Sequence, residues 1–306
     1  MSVWQGRQDP EDGELALRWH DKVQAWPLIG TAEPGVALVG FACDEGVRRN
    51  KGRTGAAGAP LAIRKLLANS AWHLTRPVFD SGDLCCDDGD LDAAHGRLAE
   101  RVASLLDEGH FPLVLGGGHE VAFGSWSGLN RHLAGQGRVG IINFDAHFDL
   151  RRKVEQASSG TPFFQIAEQC AAQGTGFHYA CLGVAETANT QALFARADEL
   201  GVWYALDEAM TQAALPELLN GLDAFIARCD HLYLTIDLDV LPGAVMPGVS
   251  APAARGVELA VIEPLIAHIR ASGKLRLADL AEYNPNLDQD NRSARVAARL
   301  VHQLTK

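Results

Sequence analysis

The sequence predicts an α/β fold in which a largely parallel sheet is covered by helices on both faces. Short apolar runs alternate along the chain with longer segments of helical periodicity, which is the order expected of β–α–β units. Several of the short runs, including Val139–Phe144, are apolar almost throughout and do not alternate. Such runs are typical of strands that are buried on both faces of a sheet.

Eight candidate strands and five clear candidate helices follow from these patterns. The strands are Val36–Phe41, Pro77–Phe79, Pro112–Leu115, Val139–Phe144, Tyr179–Val184, Val202–Tyr204, Leu232–Ile236 and Leu275–Leu280. The helices are Pro60–Ala68, Leu91–Glu108, Thr190–Leu200, Leu215–Cys229 and Leu259–Ser272. Pro60 suits a first helical turn, and Gly109 and Gly273 suit helix ends. No linker-like stretch divides the chain, so we predict an irregular N-terminal arm, 1–35, and a single domain, 36–306.

Composition narrows the classes of partner. The chain has 306 residues, of which 47% are hydrophobic and 21% charged, and its net charge is -11. This charge argues against nucleic acid or an anionic membrane as the main partner, since both attract clustered Lys and Arg. No apolar run reaches the roughly 18 residues of a membrane span. Residues 1–10 lack a signal-like pattern, and the six cysteines form no CxxC pair, so we expect a cytoplasmic protein with reduced thiols.

Three strand ends carry residue types that bind metal ions. His119 follows the run Leu115-Gly116-Gly117-Gly118, in which glycines allow a sharp turn off a strand. Asp145, His147 and Asp149 follow a second strand, and Asp237 and Asp239 end a third. In an open parallel sheet, chemistry belongs at the carboxyl ends of the strands. Because an extended chain would separate Asp145 from Asp149 by about 13 Å, we expect it to bend before Asp149.

The six side chains together predict a site for two divalent cations. Two close carboxylates that lack a partner are costly in a water-poor site, and a cation removes that cost. Four carboxylates balance the charge of two divalent ions, and ligation without thiolate favours Mn²⁺ or a similar hard ion. Two such ions activate a shared water for hydrolysis. The glycine-rich turn could instead cradle a phosphate, but neither GxGxxG nor GxxxxGK[ST] is present.

The segments GGGHE, DAHFD and TIDLDVLPG, in this order, resemble the metal motifs of the ureohydrolase family of arginases and agmatinases. The resemblance extends from Val36 to the C-terminus. It implies a three-layer α/β/α arginase-like fold on an eight-stranded parallel sheet, and a catalytic domain over 36–306. It also implies two Mn²⁺ per subunit held by the six residues, and a homo-oligomer, either a trimer or a hexamer.

Further segments bear on the substrate. Ala281-Glu282-Tyr283-Asn284-Pro285 lies where the family places a carboxylate that binds amidine or guanidine nitrogens, which gives that role to Glu282. Arginases carry a proton-shuttling histidine in a segment where this chain has Ser158-Ser159-Gly160-Thr161-Pro162-Phe163. A serine at position 159 cannot titrate near pH 7 as an imidazole does. The segment is similar to that of the formiminoglutamases of the family, and Ser159 is therefore a candidate substrate contact.

The resemblance implies hydrolysis of N-formimino-L-glutamate, a step of histidine degradation, to L-glutamate and formamide. A metal-bridged hydroxide would attack the formimino carbon, Glu282 would orient the amidinium, and Asp149 would pass a proton to the departing α-amine. The two carboxylates of this amidine require fixed cations in the protein. Arginine suits this role because it binds carboxylates in a bidentate manner. Arg151 is the first candidate and Arg48 and Arg49 are the second; a solvated basic loop is the alternative for Arg48 and Arg49.

Other functions fit parts of the pattern. An agmatinase or guanidino-acid hydrolase that releases urea would use the same metal site. A cationic substrate such as agmatine fits poorly beside arginines, whereas a guanidino acid fits better. A two-metal phosphoesterase would use similar carboxylates but other motifs. A non-catalytic metal-binding protein is the third alternative, and the complete set of six ligand residues argues against it.

Overall fold

The computed structural model describes residues 3–26 and 33–306 and contains one sheet of parallel strands. Among these residues there are nine strands: β1 (Gln24–Ala25), β2 (Val36–Ala42), β3 (Val78–Cys85), β4 (Phe111–Leu115), β5 (Val139–Phe144), β6 (His178–Val184), β7 (Trp203–Leu206), β8 (His231–Asp237) and β9 (Leu275–Ala281). Their spatial order is β1-β3-β2-β4-β9-β8-β5-β6-β7, and all neighbours pair in parallel.

Ten α-helices accompany the sheet in the described part of the chain. They are α1 (Trp19–Lys22), α2 (Glu45–Arg49), α3 (Ala59–Ala68), α4 (Leu91–Asp107), α5 (Val121–Leu133), α6 (Pro162–Gln173), α7 (Gln191–Glu199), α8 (Leu215–Ile226), α9 (Leu259–Ala271) and α10 (Arg292–Thr305). None of the helices in this part is long and apolar enough to cross a membrane.

The sheet lies between two separate hydrophobic cores, which makes the fold a three-layer α/β/α sandwich. Alternate residues of β2 show the division: Val36 and Leu38 belong to one core, while Val39 and Phe41 belong to the other. The first core packs against α3, α8, α9 and α10, and the second against α4, α5, α6 and α7. Because every central strand contacts apolar side chains on both faces, its sequence is apolar throughout, as predicted.

The predicted α/β class and parallel sheet are confirmed, but the strand number of eight is wrong. All eight predicted strands form, and β1 is the ninth. Gln24–Ala25 is two residues long, and both residues are exposed at the sheet edge. Such a segment has no apolar pattern by which it could be recognised. The strand predicted at Pro77–Phe79 continues to Cys85. Its second half was not predicted because it is polar and partly exposed.

The five predicted helices form with ends that differ by at most three residues, and the structure adds helices over less obvious patterns. Within the predicted arm, Trp19 is fully buried and contacts Trp72 edge to face, with ring centroids 5.5 Å apart. The described part of the arm therefore packs on the domain, and β1 extends the sheet. The division at residue 35 remains a prediction.

Exposed Gly96 in the middle of α4 permits a test of local stability. A Cβ at this position would meet no atom within 4 Å, so Gly96→Ala gains helix propensity without a clash. We expect unfolding to require about 0.5–1 kcal/mol more free energy. Urea denaturation of the metal-free protein would measure this. Gly117→Ala is the contrasting variant, since its Cβ would clash with the carbonyl oxygen of Cys43. Equal stabilisation by both variants would contradict the structure of the loop that carries His119.

Candidate metal centre

The loop after β4 positions His119 at the carboxyl edge of the sheet. β4 ends at Leu115, and the next three residues are glycines. The loop packs directly on the end of β2, where Gly118 donates from its backbone N–H to the carbonyl oxygen of Cys43, at 3.0 Å. Gly117 has no room for a side chain in this contact. The close approach of two backbones therefore places His119 over the centre of the sheet.

The loop after β5 bends as the sequence predicted. Asp149 has a φ of +48°, a left-handed conformation that non-glycine residues rarely adopt. Asn189 supports the bend from the loop after β6. Its side chain accepts from the backbone N–H of Phe148 at 3.0 Å and donates to the carbonyl oxygen of Ala146 at 2.9 Å. Residues in this strained region cluster at functional sites, where surrounding contacts hold them.

Asp237 and Asp239 lie at the end of β8. Asp237 is the last residue of the strand, and a 3₁₀ helix, Leu238–Val240, begins next to it. The carboxylate of Asp237 accepts from the backbone N–H of Asp239 at 2.9 Å. This short turn brings both carboxylates to the same side of the sheet edge.

The structure brings all six predicted ligand residues together in two overlapping groups. One group contains His119, Asp145, Asp149 and Asp237, and the other contains Asp145, His147 and Asp239. Within each group, the candidate ligand atoms lie within 4.8 Å of one another. Asp145 belongs to both groups, as a bridging carboxylate would. The assignment of these residues as ligands remains a prediction that the geometry supports.

His119 tests whether this cluster suits metal ions. Its Nδ1 lies 3.0, 2.9 and 3.2 Å from carboxylate oxygens of Asp145, Asp149 and Asp237. The nitrogen is buried, yet none of these oxygens is aligned with it as a hydrogen-bond partner. Its Nε2 lies 3.0 Å from Oγ1 of Thr235. One nitrogen facing several carboxylates while the other is hydrogen-bonded is the arrangement of a metal-binding histidine. The donor set of oxygens and imidazole nitrogens fits Mn²⁺.

Without cations the cluster favours bound protons. Burial acts to lower the pKa of His119, but the adjacent carboxylates outweigh burial and raise it well above its ordinary value. The negative charge of Asp239 raises the pKa of His147 well above its ordinary value. Burial, followed by repulsion from Asp239 and Asp145, raises the pKa of Asp237. The cluster therefore requires positive charge, which protons or metal ions supply.

A cavity of about 440 Å³ opens onto this cluster. Glu282 lines it and follows β9 with a φ of +67°, the second strained non-glycine residue of the site. Its Oε1 accepts from the backbone N–H of His119 at 2.9 Å. Burial, followed by repulsion from Glu120, raises the pKa of Glu282 to about 8. A cationic substrate group beside Glu282 would favour its ionised form.

Two of the predicted substrate contacts lie at this cavity. Arg151 and Ser159 both line it, and a hydrogen-bonded chain joins them. Asn50 donates from Nδ2 to Oγ of Ser159 at 3.1 Å, and Arg151 donates from Nη1 to Oδ1 of Asn50 at 3.4 Å. Their binding of substrate remains a prediction.

Arg48 and Arg49 do not line the cavity, so their predicted role as substrate contacts has no support from their placement and stays a prediction. Both lie on α2 and pair with Glu45, with N–O distances of 2.6 Å and 2.8 Å. Arg49 also donates to the carbonyl oxygen of Gly89 at 2.9 Å. The hydrogen bond from Arg48, against the opposing effect of burial and with help from Arg49, lowers the pKa of Glu45 to about 2. The helical turn directs both arginines to this carboxylate and away from the cavity.

Sequence reasoning missed several residues that shape the site. Thr235 precedes Asp237 by two residues on a strand, so it shares a face with that carboxylate, and this spacing was a usable signal. Glu120 is fully buried behind the loop and carried no signal beyond its place in the GGGHE segment. The cavity is also lined by residues whose roles were not predicted: Asn50, Lys51, Arg53, Asn189 and Ser250.

Comparison with known proteins identifies the family. The model of the arginase family matches residues 34–306, and the chain belongs to that family. The chain is similar to the formimidoylglutamase of Aeromonas salmonicida (strain A449), at 92% identity over 306 residues that cover 100% of this chain and 98% of that protein. The formimidoylglutamase of Chromobacterium violaceum is 56% identical over 306 residues, with coverage of 100% and 98%.

Solved structures show the same architecture. The formiminoglutamase of Trypanosoma cruzi, crystallised with Mn²⁺, superposes with a TM-score of 0.81 at 25% identity and covers 92% of this chain and 95% of its own. The formimidoylglutamase of Bacillus subtilis has a TM-score of 0.86 at 23% identity, with coverage of 99% and 94%. The Bacillus subtilis structure, at 23% identity, shows that the fold is shared. The Trypanosoma cruzi structure is that of a relative with bound manganese.

The hydroxyl of Thr235 offers a test of how His119 is oriented. Thr235→Val keeps the shape of the side chain but removes the partner of Nε2. We expect Mn²⁺ affinity to fall about 10- to 100-fold, as for other losses of a hydrogen bond to a metal-binding histidine. Calorimetric titration would measure the affinity. Thr235→Ser keeps the hydroxyl and should bind nearly as the parent does. Unchanged affinity in Thr235→Val would show that this contact does not orient the ring.

The raised pKa values of His119 and His147 predict that manganese binding weakens in acid. Both imidazoles retain protons to higher pH than an ordinary histidine, and Mn²⁺ must displace them. Apparent affinity should fall about tenfold per pH unit for each proton displaced. Titrations in buffers of different ionisation enthalpy would count the released protons. If the Mn²⁺ affinity did not change between about pH 6 and about pH 8, both imidazoles would be excluded as ligands.

Proposed function

We propose that this chain hydrolyses N-formimino-L-glutamate to L-glutamate and formamide. The observation that carries the proposal is that Glu282 lines the same cavity as four of the six predicted ligand residues, which are His147, Asp149, Asp237 and Asp239. The cavity also contains Arg151 and Ser159, so an amidine and a carboxylate have complementary groups within the same space. The names of the relatives at 92% and 56% identity support this choice of substrate within the family.

The metal in this proposal is manganese, with two ions per subunit. The residues His119, Asp145, Asp149 and Asp237 would hold one ion, and Asp145, His147 and Asp239 would hold the other. When bound, such ions act as Lewis acids that lower the pKa of a nearby water and so supply a nucleophile at neutral pH. The manganese-bound relative from Trypanosoma cruzi supports this choice of ion.

Glu282 orients the reacting group. A formimino group is an amidine and is cationic when protonated, so its N–H groups donate to the carboxylate of Glu282. The carboxylate is fixed, because its other contact is the backbone N–H of His119. The same contact links the position of the amidine to the loop that carries the predicted metal ligand. The formimino carbon is thereby held in front of the six-residue cluster.

Proton transfer completes the reaction. Water adds to the carbon of the protonated formimino group, the bond from this carbon to the α-nitrogen breaks, and both water protons end on that nitrogen, which leaves as an ammonium group. The first proton transfer converts the nitrogen into a leaving group. Asp149 is placed to carry this proton, since it lines the cavity and its side chain is only 13% exposed. In the cluster without cations, burial, followed by repulsion from Asp145, raises the pKa of Asp149.

Ser159 replaces a titratable group at this edge of the cavity. The side chain is 6% exposed and its hydroxyl already accepts a hydrogen bond from Asn50. It therefore supplies a fixed polar contact and not an acid.

The six free cysteines support the proposed cytoplasmic setting. The predicted trimer or hexamer is part of the same proposal.

Product analysis tests the proposed reaction. Manganese-loaded protein would receive N-formimino-L-glutamate, agmatine, arginine or guanidinobutyrate in separate reactions. We expect formamide and L-glutamate from the first compound and no urea from the others. Urea from a guanidino compound would retain the metal site and overturn the substrate. Failure to hydrolyse any amidine or guanidine despite full manganese loading would favour a non-catalytic metal-binding protein.

The role of Glu282 gives a separate prediction. Glu282→Gln retains an acceptor for the backbone N–H of His119 but removes the negative charge that faces the amidinium. We expect kcat/KM to fall at least about 100-fold, since a charge-assisted contact at the reacting group is lost. Manganese content should be unchanged. Steady-state kinetics together with metal analysis would separate loss of chemistry from loss of metal. Parent-like kcat/KM would remove Glu282 from the mechanism.

A further inference from the structure

Residues 50–53, here called the 50–53 loop, form one side of the cavity entrance. Asn50, Lys51, Gly52 and Arg53 all line the cavity. The loop directly follows α2 and lies opposite the segment that carries Ser159 and Arg151. Asn50 bridges these two residues, as described above. The loop is therefore placed to contact the part of a substrate that lies at the cavity entrance, away from the six-residue cluster.

Three neighbouring segments hold the 50–53 loop in place. Glu120 accepts from the backbone N–H of Gly46 in α2 at 2.9 Å. Ser250 accepts through Oγ from the backbone N–H of Arg53 at 2.8 Å. Asn284 donates from Nδ2 to the carbonyl oxygen of Arg53 at 3.0 Å. These partners follow β4, β8 and β9, so the loop is attached to two of the strand ends that carry predicted metal ligands and to the strand end that carries Glu282.

Lys51 is the residue of this loop with a free charge. Its φ is +62°, so the backbone adopts the left-handed conformation that non-glycine residues rarely occupy. The residue is exposed at the cavity, and within 3–26 and 33–306 no carboxylate pairs with its ammonium group. Arg53 differs, because its guanidinium donates to the backbone carbonyl oxygens of Val249 and Ser250.

The charges around the cavity indicate which group of the substrate Lys51 contacts. The substrate of the proposed reaction has two carboxylates, and the protein as a whole has a net charge of -11. Such a ligand requires local cations to overcome the surrounding negative charge. Arg151 supplies one, and Asn50 is the only hydrogen-bond partner of its guanidinium in the described chain. Arg48 and Arg49 both pair with Glu45 and do not line the cavity, and the guanidinium of Arg53 donates to backbone carbonyl oxygens. Lys51 is the cation at the cavity that remains.

We infer that Lys51 binds one carboxylate of the substrate, that Arg151 binds the other, and that the 50–53 loop thereby selects amidines with two carboxylates. This inference rests on the proposed function. Lysine suits the position because its ammonium group is a point charge on a flexible stem, which adapts to a ligand at an open entrance. The left-handed backbone at Lys51 and the hydrogen bonds with Glu120, Ser250 and Asn284 fix the position of the Lys51 Cα.

The test combines variants with truncated substrates. Lys51→Met removes the charge at similar length, Lys51→Arg restores it, and Lys153→Met is the matched control on an exposed lysine that does not line the cavity. Each protein would be assayed with N-formimino-L-glutamate, N-formimino-4-aminobutyrate, which lacks the α-carboxylate, and N-formimino-L-norvaline, which lacks the side-chain carboxylate. Inhibition by L-glutamate, manganese content and thermal unfolding would be measured in parallel.

We expect Lys51→Met to raise KM for N-formimino-L-glutamate about 10- to 100-fold with little change in kcat, as for loss of one charged hydrogen bond. The inhibition constant of L-glutamate should rise in parallel, and Lys51→Arg should recover most of the affinity. The effect should vanish with one truncated substrate and persist with the other, while Arg151→Met shows the opposite pattern.

Equal effects of Lys51→Met on all three substrates, or none on any, would overturn the inference, as would an equal effect of Lys153→Met. A failure of the proposed function would look different. The parent protein itself would then release no formamide from any of the three compounds.

Discussion

The structure depends on one electrostatic constraint, which is that four carboxylates and two imidazoles converge at the centre of the carboxyl edge of the sheet. Asp145 and His119 are fully buried, and Asp237 and Asp239 are nearly so. Such a group of like charges is unstable in a water-poor site unless cations or protons balance it. The strained Asp149, the glycine-rich approach to His119 and the supporting contacts of Thr235 and Asn189 all hold the predicted ligands against that repulsion.

The sheet supplies the rigidity that this constraint requires. The ligand-bearing strands β4, β8 and β5 lie in the middle of the sheet, with β9 between β4 and β8. Each is buried between two hydrophobic cores, so the strand ends cannot separate without disrupting packing on both faces. The six predicted ligands therefore lie where packing constrains the scaffold on both faces, while the residues proposed to meet the rest of the substrate lie on loops outside the sheet.

The sequence predicted the parts of the molecule that short-range patterns determine. Eight strands were identified because their runs are apolar on both faces, whereas Gln24–Ala25 is too short and too exposed to leave a pattern. Asp145 and Asp237 were found because metal-ligand residue types follow strands directly. The pairing of Arg48 and Arg49 with Glu45 was not predicted because α2 was not recognised, although Glu45 stands three and four residues before them, the spacing of helical ion pairs. The left-handed backbone at Lys51 depends on tertiary contacts and is not readable from the sequence.

Glu120 gives the metal loop and the substrate loop a shared support. It lies next to His119 in the chain, and its carboxylate accepts from Gly46 at the start of the helix that precedes the 50–53 loop. If metal and substrate bind as proposed, a ligand that favours the observed position of one loop through this contact favours that of the other by the same free energy, because coupling between sites is reciprocal. Substrate in the cavity and metal at the cluster would then each strengthen the binding of the other.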